Sequence, residues 1–219
     1  MSKTLDNGIR LLMELVRAPD GLTVTELARA IGVHRTVAYR LVGTLASHAL
    51  VEQAPDGRYS VGLGALALSR AVRRTLQSLA RPQLRDLAQH TEATAFVAAL
   101  DGDEAVSVAV VEPVHSQAHV AYPVGVRHPI DRGAGGLAIL SGRAPHQGER
   151  PEVALARQNG YATSHSELGN GVWGLAAPIP NPTGPPKASI GVIALGPLDE
   201  SRTAALVIAA AEAIGRQVT

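Results

Sequence analysis

Apolar positions in the first fifty residues recur at helical spacing. Leu5, Ile9, Leu12 and Val16 stand at i, i+4, i+7 and i+11 and predict one apolar stripe of a helix. Arg17-Ala18-Pro19-Asp20-Gly21 breaks it. Thr23-Val24-Thr25-Glu26 then matches a capping box, with Thr23 as N-cap and Glu26 able to bond back to it. A short helix over Val24–Ile31 buries Leu27, Ala28 and Ile31, and Gly32 supplies its stop. A second helix is expected from after Val33 to about His48. Val37, Leu41 and Leu45 line its inner face, and Arg35, Thr36, Tyr39, Arg40 and Thr44 its outer one. Leu50–Gln53, the turn Ala54-Pro55-Asp56-Gly57 and Arg58–Val61 predict a β-hairpin with Arg58 near its tip. Short helix, glycine turn, longer helix and hairpin together make a winged helix-turn-helix.

Beyond the hairpin, Leu63, Leu66, Arg70 and Arg73-Arg74 lie close to helical spacing, so one continuous linker helix is expected. Its arginines face DNA phosphates, the following domain, or water; spacing does not choose among these. Pro82 suits the first turn of a further helix over Gln83–His90 and marks a boundary. The expected division is therefore 1–64 for the winged helix, 65–80 for the linker and 81–219 for a second domain. In that domain Ala95–Leu100, the turn Asp101-Gly102-Asp103 and Ala105–Val111 predict strand, turn, strand. Further strands are expected at Val120–Tyr122, Ala162–Ser164, Leu175–Pro178 and Ala188–Leu195. Helices are expected at Gly135–Ser141, Pro151–Asn159 and Glu200–Arg216, the last with Leu206, Ala209, Ala210 and Ala213 inside. Runs of strands with helices at their ends indicate an α+β domain with an antiparallel sheet rather than a Rossmann repeat.

Charge changes the picture. The 219 residues carry a net charge of only +1, which taken whole argues against a nucleic-acid partner. Residues 1–80, however, hold ten basic and six acidic side chains, a balance of +4, which leaves −3 on the remainder. Two short helices and a hairpin occur in many small domains; the basic balance and the position of the wing favour double-stranded DNA here. Arg on the outward face of the second helix can grip guanine in a bidentate pair, Thr can bond base edges or phosphates, and Tyr can donate to phosphate. The chain has no cysteine, hence no disulfides or thiolate metal sites. Its opening residues form no signal peptide, and no apolar run approaches the ~20 residues that span a bilayer. A soluble cytoplasmic protein without membrane contact is expected.

Gly21-Leu22-Thr23-Val24-Thr25-Glu26-Leu27-Ala28, Tyr39-Arg40-Leu41 and Asp56-Gly57-Arg58-Tyr59-Ser60-Val61-Gly62 resemble the DNA-binding domain of the IclR family of bacterial transcriptional regulators. Gly125–Ile130, Gly160-Tyr161, Gly171–Ile179 and Ile193–Pro197 resemble segments of that family's second domain, in order. The resemblance implies a winged helix, a linker helix and a GAF-like effector domain. It further implies homodimers that often pair into tetramers, and operator binding, as repressor or activator, that a small organic metabolite modulates; a repressor is the expectation here. The outward face of the second helix and the hairpin tip make Arg35, Thr36, Tyr39, Arg40, Thr44 and Arg58 the expected DNA contacts. The resemblance places the effector on the backbone of Ala134 and Gly135 and the side-chain positions Ser164, Gly174, Ile193 and Leu195. Those four identities are roomier and more apolar than the acid, thiol and hydroxyls common there, which suits a larger, partly aromatic or aliphatic ligand.

The glycines of Arg132-Gly133-Ala134-Gly135-Gly136 open a helix whose amides favour an anion or polar oxygen; equally, they permit tight packing. No Gly-Lys-Ser/Thr follows, so this is not a phosphate-binding P-loop. Ser164-His165-Ser166 lacks a nucleophile elbow, and His115 and His119 form the only close histidine pair, in a Pro-bearing loop. No enzyme, cofactor or metal is expected. The rival readings are a hydrolase-like enzyme fused to the helix-turn-helix and a DNA binder whose second domain is vestigial.

Overall fold

In the computed structural model, which describes residues 2–69, 74–114, 116 and 119–218, the chain divides into two units, residues 1–74 and 75–219. In the first, α1 (Lys3–Val16), α2 (Val24–Ile31) and α3 (Arg35–Ser47) precede a hairpin of β1 (Val51–Gln53) and β2 (Tyr59–Val61). The capping box forms as the sequence requires: the Thr23 amide donates to Glu26 Oε2 at 2.8 Å, and the Glu26 amide to Thr23 Oγ1 at 3.3 Å. Gly32 ends α2 with a left-handed φ of 70°. Gly21 is also left-handed, and a Cβ there would lie 2.7 Å from the Tyr59 carbonyl oxygen. That close approach lets Leu22 bridge to Tyr59 and ties the α1–α2 loop to the wing.

Two inward faces differ from the sequence expectation. On α1, Leu5, Ile9 and Val16 of the expected stripe point away from the core, 63%, 54% and 60% exposed, while Leu12 is half-buried against it. Leu11 and Leu15 are buried instead, together with Asn7 and Gly8. The helix carries two adjacent apolar stripes, and the second, Leu11 with Leu15, packs into one cluster with Leu27, Ile31, Leu41 and Val42. On α3, Ala38, Leu41 and Val42 are buried while Val37 is exposed and Leu45 half-buried, because Ala38 is the residue short enough for tight contact with α1 and α2.

The helix expected to run unbroken from Leu63 through Arg73-Arg74 includes residues 70–73, which lie outside the described residues, as do the linker arginines Arg70 and Arg73. Before them runs α4 (Gly64–Ser69), and after them α5 (Arg74–Thr91). Pro82 does not begin a helix. It lies within α5, so the boundary moves from between residues 80 and 81 to between 74 and 75. Helix continuity wins because Ala80, Leu84, Leu87 and Ala88, on both sides of the proline, bury in one cluster. No charged residue lies between 75 and 80, so the +4 and −3 balances stand.

The second unit holds a six-stranded, wholly antiparallel sheet in the order β5-β4-β3-β8-β7-β6. Its strands are β3 (Thr94–Asp101), β4 (Glu104–Val111), β5 (Arg127–Pro129), β6 (Ala162–His165), β7 (Val172–Pro178) and β8 (Ala188–Leu195). One face is covered by α5 and α8 (Glu200–Gly215), the other by α6 (Gly133–Ser141) and α7 (Pro151–Asn159). Alternate residues of β3 divide between the clusters: Ala95, Val97 and Ala99 on the first face, Phe96 and Ala98 on the second. The inner stripe of α8 is Thr203, Ala204, Val207, Ala210, Ala211 and Ile214; Ala209 is exposed, Leu206 and Ala213 only half-buried. The expected strand Val120–Tyr122 is absent. Side chains hold that segment instead, Thr94 Oγ1 donating to the Val120 carbonyl at 2.8 Å and Ser107 Oγ to the Pro123 carbonyl at 2.6 Å. The strand next to β4 is β5, further along the chain.

Candidate functional site

Two surfaces concern function, one in each unit. On α3, Arg35, Thr36, Tyr39, Arg40 and Thr44 are all exposed, as their spacing requires. Among the described residues the side chains of Arg35, Tyr39 and Arg40 have no hydrogen-bond or ionic partner, and Tyr39 is 65% exposed. Thr36 is engaged: its hydroxyl lies 3.2 Å from His34 Nδ1, and its amide donates to the same nitrogen, so His34 caps α3. Sequence reasoning passed over His34 because histidine is an uncommon cap. Thr44 Oγ1 donates to the Arg40 carbonyl one turn back, at 3.0 Å.

Arg58 departs from the place expected at the wing tip. Its guanidinium folds onto the body of the unit, with Nη1 2.9 Å from the Gly21 carbonyl and 3.5 Å from Glu26 Oε2. The physical reason is the Glu26 carboxylate, already fixed by the capping box. The Thr23 amide and hydroxyl hold its carboxyl below the usual range, and Arg58 adds to that. Arg58 thus fastens the wing to the start of α2.

In the second unit, cross-strand register puts Ser164, Gly174, Ile193 and Thr94 in one row across β6, β7, β8 and β3. The start of α6 lies over this row. The Ala134 amide donates to Ser164 Oγ at 2.9 Å, and a Cβ at Gly174 would meet that oxygen at 2.9 Å and Ala134 Cβ at 3.2 Å. Ala134, Gly135, Ser164, Gly174 and Ile193 therefore do come together. Leu195, two cross-strand pairs further along, is 57% exposed and stands at the rim. The extra room expected from Gly174 is not there, because Ser164 and Ala134 already fill it.

Glu167 and Leu168, in the loop after β6, complete the arrangement. The Gly133 amide donates to Glu167 Oε2 at 2.7 Å, and Leu168 covers Gly133, where a Cβ would lie 2.7 Å from Leu168 Cδ1. Arg150, just before α7, grips the same carboxylate with Nη2 2.7 Å from Oε1, and its Nη1 donates to the Asp131 carbonyl at 2.6 Å. Burial alone would raise the Glu167 carboxyl, but hydrogen bonds from Arg150 and the Gly133 amide outweigh it and hold it below the usual value. Neighbouring Phe96 meets Tyr122 edge-on, with ring centroids 5.3 Å apart. A cavity of about 300 Å³ lies at the β6 edge, lined by Glu152, Ser164 and Glu167 and, from the sheet face covered by α8, by His165, Trp173 and Glu200. Neither Glu167 nor Arg150 was found from sequence. They lie 34 and 17 residues from their partners, and no periodicity links them.

Comparison with known proteins gives consistent results. The family model described as an IclR helix-turn-helix domain matches residues 4–55, and that of the bacterial transcriptional regulator IclR C-terminal domain matches residues 69–150. The HTH-type transcriptional regulator KipR of Bacillus subtilis is 26% identical over 204 residues, 82% of this chain and 81% of that protein. An IclR transcriptional regulator from Alicyclobacillus acidocaldarius superposes with a TM-score of 0.84 over 100% of both chains at 23% identity. An IclR homolog from Microbacterium hydrocarbonoxydans, solved in complex with 4-hydroxybenzoate, does so with a TM-score of 0.84 over 99% of both chains at 18% identity. The structural likenesses establish the fold. No helix among the described residues is long and apolar enough to cross a membrane.

Proposed function

We propose, from the premise that this chain belongs to the IclR family of bacterial transcriptional regulators, that it is a cytoplasmic repressor which holds operator DNA as a dimer and releases it when a small organic effector binds. The chain is a transcriptional regulator with a DNA-binding helix-turn-helix domain and a ligand-binding C-terminal domain. The observation that carries the finer reading is the outer face of α3, where Arg35, Tyr39 and Arg40 are exposed and without partners in a unit of net charge +4. Arg35 and Arg40 read base edges, while Thr36, Tyr39 and Thr44 contact the backbone or flanking bases. Arg58 steadies the wing and is not itself a principal contact.

Dimerisation is supported by the exposed stripe Leu5, Ile9, Met13 and Val16 on α1, an apolar row that a two-fold axis can pair with itself. A dimer then recognises a pseudopalindrome with half-sites about one helical turn apart or a multiple of it. The effector occupies the row Ser164, Gly174 and Ile193 under the α6 start at Ala134 and Gly135, with Leu195 at its rim. The decisive experiment is a gel shift of the purified chain on DNA upstream of its own gene, with and without a metabolite library. Failure to bind any DNA sinks the proposal.

One observation favours the rival in which the second unit no longer senses a ligand: the leading α6 amides are satisfied from within. Thermal shift against the same library separates the two readings. If no compound raises the melting temperature and operator binding never changes, the domain is vestigial.

A further inference from the structure

We infer that Glu167 sets the charge selectivity of the effector site: its carboxylate is a tethered occupant of the α6 N-terminus, so the site takes uncharged ligands and rejects carboxylates. The inference rests on the effector reading above and adds the ligand class to it.

A helix start offers its first free amides to an anion, and a carboxylate is a natural guest. Here the guest belongs to the chain. Gly133 donates to Glu167 Oε2 and Ala134 to Ser164 Oγ, so both leading amides are taken. Gly135 packs its Cα side against the Phe96 ring, Ala98 and Ser189 Oγ, and its carbonyl accepts from that hydroxyl at 2.8 Å. The occupant is held from behind by the paired Arg150 bonds to Glu167, and Arg150 is anchored in turn by the Asp131 carbonyl and by Glu152 at 3.2 Å. The loop that delivers Glu167 is closed on itself. The Ser166 amide donates to the Val172 carbonyl at 2.7 Å, Ser166 Oγ accepts from the Gly171 amide at 3.1 Å, and Leu168 lies over Gly133.

An acidic ligand entering this place meets two obstacles. A tethered group competes at an effective concentration on the order of mM, so a carboxylate of similar intrinsic affinity must exceed that to displace it. The adjoining cavity also presents Glu152, Glu167 and Glu200 on its lining, against the single Arg150 that pairs the first two, so a net negative charge works against an anion. An uncharged ligand faces neither. It can use the cavity that runs round the β6 edge to Trp173 and His165, whose rings lie 4.4 Å apart on the sheet face covered by α8, while the clasp stays shut.

The test measures calorimetric binding of two matched pairs, acetate with acetamide and 4-hydroxybenzoate with 4-hydroxybenzamide, to the full chain. Wild type, Glu167→Ala and Glu167→Gln are compared. Glu167→Ala vacates the amide and frees Arg150; Glu167→Gln keeps an oxygen cap without the charge and guards against a folding defect. We expect both carboxylates to gain at least about tenfold in the vacated variant, with a smaller gain in Glu167→Gln and amide affinities within about twofold throughout. An unchanged carboxylate affinity in Glu167→Ala, or an equal gain by the amides, overturns the inference. Operator affinity is read separately in the same samples. Carboxylate binding gained without any effect on DNA binding overturns the effector reading and leaves the selectivity of the site standing.

Discussion

The outer face of α3 and the N-terminus of α6 are both rows of hydrogen-bond donors, and the chain treats them in opposite ways. Arg35, Tyr39 and Arg40 are exposed and lack protein partners among the described residues, whereas the Gly133 and Ala134 amides are bound by Glu167 and Ser164. Burial explains the difference. Water satisfies an exposed guanidinium at no cost, so a DNA-reading surface can stand empty. Gly133 and Ala134 are buried, and an unpaired buried amide costs about 1–3 kcal/mol, so a pocket built on a helix start needs an occupant of its own. One surface waits open for its partner; the other carries an occupant of its own.

The strongest way to break this comparison is to remove the open donors. Arg35→Ala with Arg40→Ala is expected to cost about 1–3 kcal/mol of operator binding for each arginine that reads a base edge. Stability of the second unit should stay within about 0.5 kcal/mol of wild type, as for surface substitutions in general. Gel shift at fixed salt reads the first. Fluorescence of Trp173, the single tryptophan, reads the second, because it lies in β7. Unchanged DNA binding means that this face is merely solvated.

Next in size is Arg150→Ala, which leaves a carboxylate that is 22% exposed with the Gly133 amide as its remaining partner. A loss of about 1–3 kcal/mol in urea unfolding is expected, toward the lower end because both side chains keep some solvent. Combining it with Glu167→Gln should recover part of the loss, since no unpaired charge remains. Equal losses in the single and double variants contradict an ionic clasp.

The same contrast shows what the sequence can disclose. Thr23 and Glu26, Gly32 and Asp56-Gly57 act on residues within a few positions of themselves, and they predict α2 and the wing correctly. Val24–Ile31, Pro151–Asn159 and Ala188–Leu195 agree at both ends with the elements observed. Periodicity alone does not decide which of two apolar stripes of α1 faces inward; the packing of Leu11 and Leu15 against α2 and α3 decides it. Nor does a proline reveal that Leu84 and Leu87 beyond it bury with Ala80 before it. The row Ser164, Gly174 and Ile193 was legible only through the family resemblance. Glu167 was legible through neither, because its partners are set by how the loop after β6 folds back over α6.

Arg58 comes next. It bonds Gly21 and Glu26 while 40% of its side chain stays exposed, so it behaves partly like each surface. Arg58→Ala is expected to lower the stability of the first unit by about 0.5–1 kcal/mol. The salt dependence of operator binding should be unchanged, whereas a phosphate contact would reduce its slope by about one. Loss of slope without loss of stability returns Arg58 to the DNA.

The smallest expected effect is the dependence on pH, and it isolates the closed surface. Glu167 titrates below the ordinary carboxyl value of 4.5 although burial pushes it the other way, because Arg150 and the Gly133 amide favour the charged form. A depressed carboxyl stabilises the folded state fully above its unfolded value and loses that contribution as pH falls through the folded one. The second unit should therefore weaken as pH drops below 4.5. Glu149, Glu152 and Asp199 are depressed too, through Arg157, through Arg150 and through the Arg202 amide respectively, so they add a common background. The difference between wild type and Glu167→Gln removes it. Urea midpoints followed at Trp173 from neutral pH downward should fall less steeply in the variant. Parallel curves would mean that the Glu167 carboxylate is not held more tightly in the folded chain than in the unfolded one, and the occupied helix start would lose its energetic basis.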